Sequence, residues 1–316
     1  MLAYAIRRVV QAVLALLLLT LLTFFLLHLL PGGPVVGILG HQRVSALAKR
    51  QFIIENGYNK PLVVQYLDYL RKLLHGNLGF SYKANQSVDS LFANDLPKSL
   101  ILVGSATLFA LLLGIGTGLL QAIRANHIED HLITGGTFFV YAMPDFFLAQ
   151  IVVEVLAIHL HWFPVEGPQG PTWTSCFTQW RSMVLPVGTL TGLSLAGFSR
   201  YVRSSALDVF GQDFIRTARA KGASNGRVLW AHTLRNSLGP IVTLVGLSLP
   251  GLFAGAFIIE DVFNYPGIGL LTLNATYNQD YPIILGTTIL LGFLTIVGNL
   301  FADLGYAWLD PRVRIT

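Results

Sequence analysis

The chain is 316 residues long, 53% hydrophobic and only 12% charged, with a formal net charge of +5 and a mean hydropathy of +0.60. Soluble domains carry about 25% charged residues, so a soluble chain of this size would lack the charge to cover its surface. Long apolar runs separated by clusters of charge describe an integral membrane protein instead. The single cysteine, Cys176, excludes an intrachain disulfide and offers no thiolate metal site. The basic excess flanks the apolar runs, where the positive-inside effect accounts for it, so it does not point to nucleic acid.

Six segments are expected to span the bilayer, all as helices, because a chain in lipid must satisfy its backbone hydrogen bonds internally. The first, 9–30, is interrupted only by Gln11, two threonines and His28; its length is roughly 33 Å at the helical rise, about the hydrocarbon thickness. Arg7 and Arg8 precede it, no A-x-A-like cleavage site follows, and the run exceeds a signal-peptide core, so it is expected to remain as a helix. A long loop, 31–98, separates it from the second span, 99–120. The third, 132–158, contains Pro144, Asp145 and Glu154 and is expected to be long and kinked. The fourth, 183–198, is short and glycine-rich, either re-entrant or borrowing a turn from its flanks. The fifth and sixth are 238–259 and 283–308.

An even number of spans puts both termini on one side. With that side cytoplasmic, Arg7, Arg8, Arg124, Arg312 and Arg314 fall there, as does a loop from Arg200 to Asn236 holding seven Lys/Arg against Asp208 and Asp213. The opposite loop, Glu260 to Pro282, holds three acids and no Lys/Arg, as positive-inside requires. The 31–98 loop dissents with eight Lys/Arg outside, but long loops translocate largely regardless of charge. Gly114 and Gly118, Gly188 and Gly192, and Gly251 and Gly255 are each four apart, and such small-residue faces let helices approach closely.

Ionisable groups within spans are costly and often functional, which makes Asp145 and Glu154 pathway candidates; the structural alternative places both near an interface or pairs them with neighbouring helices. His28 reads as an interfacial or helix-contact residue. His127 and His131, four apart with Glu129 and Asp130 between them, lie in a cytoplasmic turn where solvated charge is the plainer reading. An intramembrane enzyme would need a nucleophile and base at membrane depth, and Ser199 has no histidine near it in sequence.

The segment from Ser199 to Pro240 is too patterned for a connector. Leu207, Phe210, Phe214 and Ala218 recur at helical spacing, Gly222 is placed to end a helix, and a second helical segment is expected through Val228 into the next span. Two helices joined by a turn fit either a partner's groove or an anionic lipid surface.

FIRTARAKGAS, Phe214 to Ser224, followed by HTLRNSLGP, His232 to Pro240, resembles the segment by which permease subunits of binding-protein-dependent ABC importers couple to their ATPases, in the dipeptide/oligopeptide/nickel class. YAIRRVVQA, LLPGGP, KPLVVQYLDYL, HGNLGFSY, EDVFNYPGIG and NQDYP, from Tyr4 to Pro282, follow that family's order along nearly the whole chain. Gly33 departs from the family's usual aspartate, and Gly239 from the bulky apolar residue common before Pro240. The Ile-x-Leu-Pro ending of the wider superfamily is absent, with His232, Leu234 and Arg235 at those positions, as is usual in this class.

The resemblance implies an all-α permease of the type I ABC importer architecture, with six transmembrane helices and a cytoplasmic coupling loop, 199–237. It implies a bacterial inner membrane location, a homologous second permease, two cytoplasmic ATPase subunits, an extracytoplasmic solute-binding protein and a peptide substrate, with nickel as the alternative. It assigns ATPase coupling to Phe214, Arg216, Ala218, Arg219, Lys221 and Gly222, and an external family-like loop to Glu260, Pro266, Gly267, Gly269 and Asp280. Phe214 and Ala218 would sit in the ATPase groove. ATP and Mg²⁺ belong to the partner ATPases; the chain itself has no Gly-Lys pair, hence no P-loop, and is expected to be non-catalytic and to bind no cofactor. Pro61 to Leu74 reads as an amphipathic helix with Leu62, Gln65, Tyr66, Tyr69 and Leu73 along one side. Three roles are open to it: gating the outer mouth, touching the binding protein, or lying on the membrane.

Overall fold

The computed structural model describes residues 2–29, 35 and 45–309; LLPGGP beyond Leu29, and Arg312 and Arg314, lie outside them. The long apolar runs form helices α1 (Leu2–Leu29), α4 (Val88–Ile123), α7 (Trp180–Phe210), α9 (Arg235–Val262) and α11 (Tyr281–Leu309). Among the described residues four helices are individually long and apolar enough to cross a membrane, and a bent pair makes up to five. The expected fifth segment lies within the 28 residues of α9. Between α1 and α4, helices α2 (Ala46–Glu55) and α3 (Leu62–Leu74) precede a two-stranded antiparallel ribbon, β1 (Phe80–Ser81) and β2 (Gln86–Ser87), with Phe80 opposite Ser87.

The third apolar segment is sharply bent into two helices. α5 (Ile128–Tyr141) stops before Pro144, and α6 (Asp145–Val152), prolonged by a π-helical turn over Val153–His159, leaves at 104° to it. Proline drives the residue before it, here Met143, out of the helical region, so the chain turns at 142–144 and restarts. The fourth segment is much longer than 183–198. α7 has 31 residues and absorbs Ser199–Phe210 from the expected coupling loop. No glycine or proline interrupts that stretch, and Val202, Ala206 and Val209 are buried along one side of it, so tertiary packing carries the helix on.

The core lies where α4, α6, α7 and α9 meet, around Leu102, Ala106, Ala149, Leu190, Ala256 and Ile259. α4 and α7 are its closest pair. A Cβ on Gly114 would fall 2.6 Å from Phe198 Cβ, and one on Gly118 would fall 2.6 Å from both Ser199 O and Val202 Cβ. The other glycine pairs behave differently: nothing lies within 4 Å of such an atom on Gly188 or Gly251.

Gly118→Val therefore forces α4 off α7, and overpacking of this kind costs about 1–3 kcal/mol. Thermal unfolding of the detergent-solubilised protein is expected to show a lowered midpoint for Gly118→Val and an unchanged one for Gly188→Ala.

Candidate functional site

At the end of α7 the chain breaks at Gly211–Gln212 and forms α8 (Asp213–Ala220). Gly222 closes α8 at φ +83°. Its N–H donates to Arg219 O at 2.9 Å and that of Ala223 to Ala218 O at 3.0 Å, the paired bonds of a Schellman ending that wants glycine at the left-handed position. Ser224 then caps the next turn by accepting from Arg227 N, and a π-helical turn over Val228–Leu234 runs into α9.

The apolar stripe expected over Leu207, Phe210, Phe214 and Ala218 does not lie on one helix. Leu207 and Phe210 belong to α7 and pack inward beside Val202 and Ile241. The break resets the phase, so Ile215, fully buried against Val209 and Val228, anchors α8. Ile215 had no place in the expected stripe; the glycine at 211 is the signal that the helical count restarts. Phe214 points away and is 43% exposed. Arg216, Arg219, Lys221 and Gly222 are exposed with it, and Ala218 is half-buried. The Asp213–Arg216 pair at 3.4 Å is fully in solvent and adds little. α8 thus presents one aromatic side chain among cations on a short helix held from behind.

The helix that carries α8 is braced by polar contacts. Arg203 of α7 donates from Nε and Nη2 to Asp130 Oδ1 and Oδ2 at 2.8 and 2.7 Å. Asp130 also accepts from Asn126 N at 3.0 Å and is buried. Planar bidentate pairs of this type fix orientation as well as distance. Nearby, Ser199 Oγ donates to Gln121 Oε1 at 2.6 Å, Thr117 Oγ1 donates to Ser199 at 2.9 Å, and Gln121 Nε2 donates to Thr134 at 2.8 Å. Sequence spacing gave no sign of the Arg203–Asp130 pair.

Alongside this brace runs a groove. A cavity of about 260 Å³ contains Gln121, His131 and Arg200, and a neighbouring one of about 440 Å³ contains Asp145, Ser194 and Gly255; Tyr141 and Gly197 line both. Asp145 opens α6 and is half-buried, in the first turn where the helix dipole favours an anion. Its Oδ2 lies 3.4 Å from where a Cβ on Gly255 would sit, and no described residue donates a hydrogen bond to it. Glu154 is not brought to this groove. It is exposed within the π-helical turn, with Oε1 3.3 Å from His159 Nδ1.

Away from α8, the residues of the 260–280 segment assemble around Glu260. Its Oε1 accepts from Ser99 Oγ at 2.5 Å, and its Oε2 from the N–H groups of Gly269 and Leu270 at 2.6 and 3.1 Å. Those amides open α10 (Ile268–Tyr277), a helix N-terminus suited to a carboxylate. Pro266 leads into a tight turn in which Gly267 N donates to Tyr265 O at 2.8 Å. A Cβ on Gly267 would collide with the Glu260 carboxylate and Ser99 Oγ, and one on Gly269 would fall 2.5 Å from Phe257 Cα. Tyr265 OH donates to Lys98 O at 2.7 Å and meets Cys176 Sγ at 3.2 Å. Asp280, before α11, accepts from Ser81 Oγ at 2.5 Å; burial pushes its carboxyl above the ordinary carboxylate range, against the Ser81 bond. The motifs around Ser81 and Asp280 therefore meet in space, as a clasp between the ribbon and the start of α11.

Residues 110–315 match the family described as the binding-protein-dependent transport system inner membrane component, and residues 1–103 its N-terminal membrane component. The chain is 38% identical over 316 residues to the oligopeptide transport system permease protein AppB of Bacillus subtilis, covering 99% of this chain and 100% of that protein. It is 37% identical over 316 residues to OppB of Haemophilus influenzae, covering 99% and 100%. With the dipeptide transport system permease protein DppB of Escherichia coli K12 the identity is 34% over 336 residues, 99% of each. The methionine ABC transporter MetNI, solved in inward-facing conformations, shares the fold with a TM-score of 0.55 at 17% identity, covering 71% of this chain and 97% of that one. This chain belongs to the family of inner membrane components of binding-protein-dependent transport systems.

Proposed function

We propose that the chain is the permease subunit of an ATP-driven peptide importer. It forms half of a translocation pathway with a homologous permease and couples to two separate ABC ATPases. A solute-binding protein delivers the peptide from outside, and both termini lie in the cytoplasm. The observation that carries the substrate class is full-length identity of 34–38% to permeases named for oligopeptides and dipeptides. The six-span topology rests on the apolar segments and the charge bias of the loops.

The energy enters through α8. Phe214 fits an apolar groove on an ATPase, with Arg216, Arg219 and Lys221 meeting acidic groups around it. Ile215 ties α8 to the end of α7, and the Arg203–Asp130 brace carries a displacement of that end to α5 and the groove beyond it. The π-helical turn over Val228–Leu234 links the same hairpin to α9. Asp145 supplies a carboxylate with no hydrogen-bond donor among the described residues in that groove, a partner for the charged amino terminus of a peptide. The chain itself catalyses nothing; it changes shape while its partners hydrolyse ATP.

The test is ATP-dependent uptake of labelled di- to pentapeptides, beside nickel, in vesicles holding this chain with its second permease, ATPases and binding protein. Peptide uptake that disappears without the binding protein supports the proposal, whereas uptake of nickel alone keeps the architecture and changes the substrate. In the same vesicles Gly222→Glu is expected to retain membrane insertion and ATPase activity while uptake collapses, because a side chain at φ +83° distorts the Schellman ending. Phe214→Ala should weaken ATPase association by about 2 kcal/mol or more, as loss of a central aromatic contact does, read by co-purification of the assembly. For Asp145→Asn, uptake of free-amino peptides should fall by about 1.5–3 kcal/mol in kcat/KM, the scale of a hydrogen bond to a charged group. N-acetylated peptides should be unaffected, and an equal loss for both would remove Asp145 from that role.

A further inference from the structure

We infer that α3 is a membrane-embedded helix, wedged along α1 into the leaflet opposite α8, with lipid as the occupant of its free apolar face. Arg8 is the last basic residue before the α1 apolar run. A hydrocarbon layer of about 30 Å takes about 20 helical residues, so the run emerges near Leu29. Tyr66 of α3 does not meet α1 at that end. Its hydroxyl lies 3.0 Å from Thr20 Oγ1 and donates to Leu17 O at 3.2 Å, and Thr20 is about 14 Å of helix below Leu29. Phe24 packs its ring against Tyr66 and Tyr69, with centroids 5.3 and 6.0 Å apart, and Leu21, Leu27, Tyr281 and Leu285 belong to the same cluster. The helix therefore sits beside the upper half of a span, where α1 itself turns Leu18, Leu22 and Leu26 outward.

The three faces of α3 fit that position. Tyr66, Tyr69 and Leu73 face the protein, as their burial shows. Asp68 and Lys72 lie on the polar flank, Asp68 holding Lys60 at 2.8 Å. On the remaining flank Val63, Leu67 and Leu74, spaced for one helical stripe, are 63%, 58% and 86% exposed. A helix standing in water would place polar side chains there. Arg71 and Lys72 in the last turn are exposed and reach headgroup phosphates, the arrangement of an interfacial helix. The free face is thus continuous with the lipid-facing surface of α1, and its charge suits an anionic leaflet.

This inference does not depend on the peptide assignment and is read without transport. Single cysteines replace Val63, Leu67, Leu74 and Asp68 in a Cys176→Ser background, and the full chain is spin-labelled and reconstituted in phosphatidylglycerol/phosphatidylethanolamine vesicles. Relaxation by oxygen is expected to exceed relaxation by a water-soluble nickel chelate at 63, 67 and 74, with the order reversed at 68. Preference for the nickel chelate at all four positions would overturn the inference. So would shielding of 63, 67 and 74 from both relaxants that appears only when the second permease or the binding protein is added, because a protein would then be the occupant.

Discussion

The approach of α4 to α7 at Gly114 and Gly118 fixes the frame on which the other elements are hung. In lipid there is no hydrophobic force between helices, so two spans stay together through close packing and polar contacts. With hydrogen in place of Cβ at both glycines, the backbone of Ser199 comes against α4. That brings the Ser199 hydroxyl within reach of Gln121 and Thr117. Burial of those groups is tolerable because each is satisfied, and a satisfied network in a low-dielectric setting sets a unique register. One turn further along α7, Arg203 is then correctly placed for Asp130. The glycine contact, the hydroxyl–amide network and the ion pair form one continuous seam, and α8 begins at the end of it.

The opposite end of α4 is fixed by different chemistry. Ser99 both donates to Glu260 and accepts from Ile268 N at 2.8 Å, so a single hydroxyl joins α4, α9 and α10. Glu260 in turn closes the N-terminus of α10, and the glycines at 267 and 269 are there because the carboxylate and the Phe257 backbone occupy the space a side chain would need. Ser81 and Asp280 do the same for the ribbon and α11. Fixed at both ends, α4 acts as a post. The segments that leave regular α geometry, the 104° turn before Asp145 and the π-helical turns at 153–159 and 228–234, all lie outside it.

Much of this was legible in the sequence. Apolar runs located the long helices, Gly222 marked the end of α8, and Gly114 and Gly118 marked a close contact. The limits were physical. Gly188 and Gly251 have the same four-residue spacing as Gly114 but meet nothing within the chain, since spacing reports a face and not what covers it. Arg203 and Asp130 are 73 residues apart, and Ser81 and Asp280 are 199 apart; no local pattern pairs them. Helix ends depart from the polarity pattern where packing overrides it. Ser199 to Phe210 is polar enough to read as loop, yet one buried stripe keeps it helical.

The division of α8 between Ile215 and Phe214 shows how one residue step separates a buried anchor from an exposed aromatic. Adjacent positions on a helix point about 100° apart, so a helix of eight residues has room for one side chain toward the protein and one toward a partner. Had the α7 helix continued through Gly211 without a break, Phe214 would have followed Leu207 and Phe210 into the protein, as the unbroken spacing suggests. The break at 211–212 turns Phe214 outward and brings Ile215 inward. A rigid anchor behind an exposed aromatic suits the coupling role proposed for α8: a contact that yields would absorb a displacement locally, whereas a buried Ile215 would pass it to α7 and the Arg203–Asp130 pair behind it.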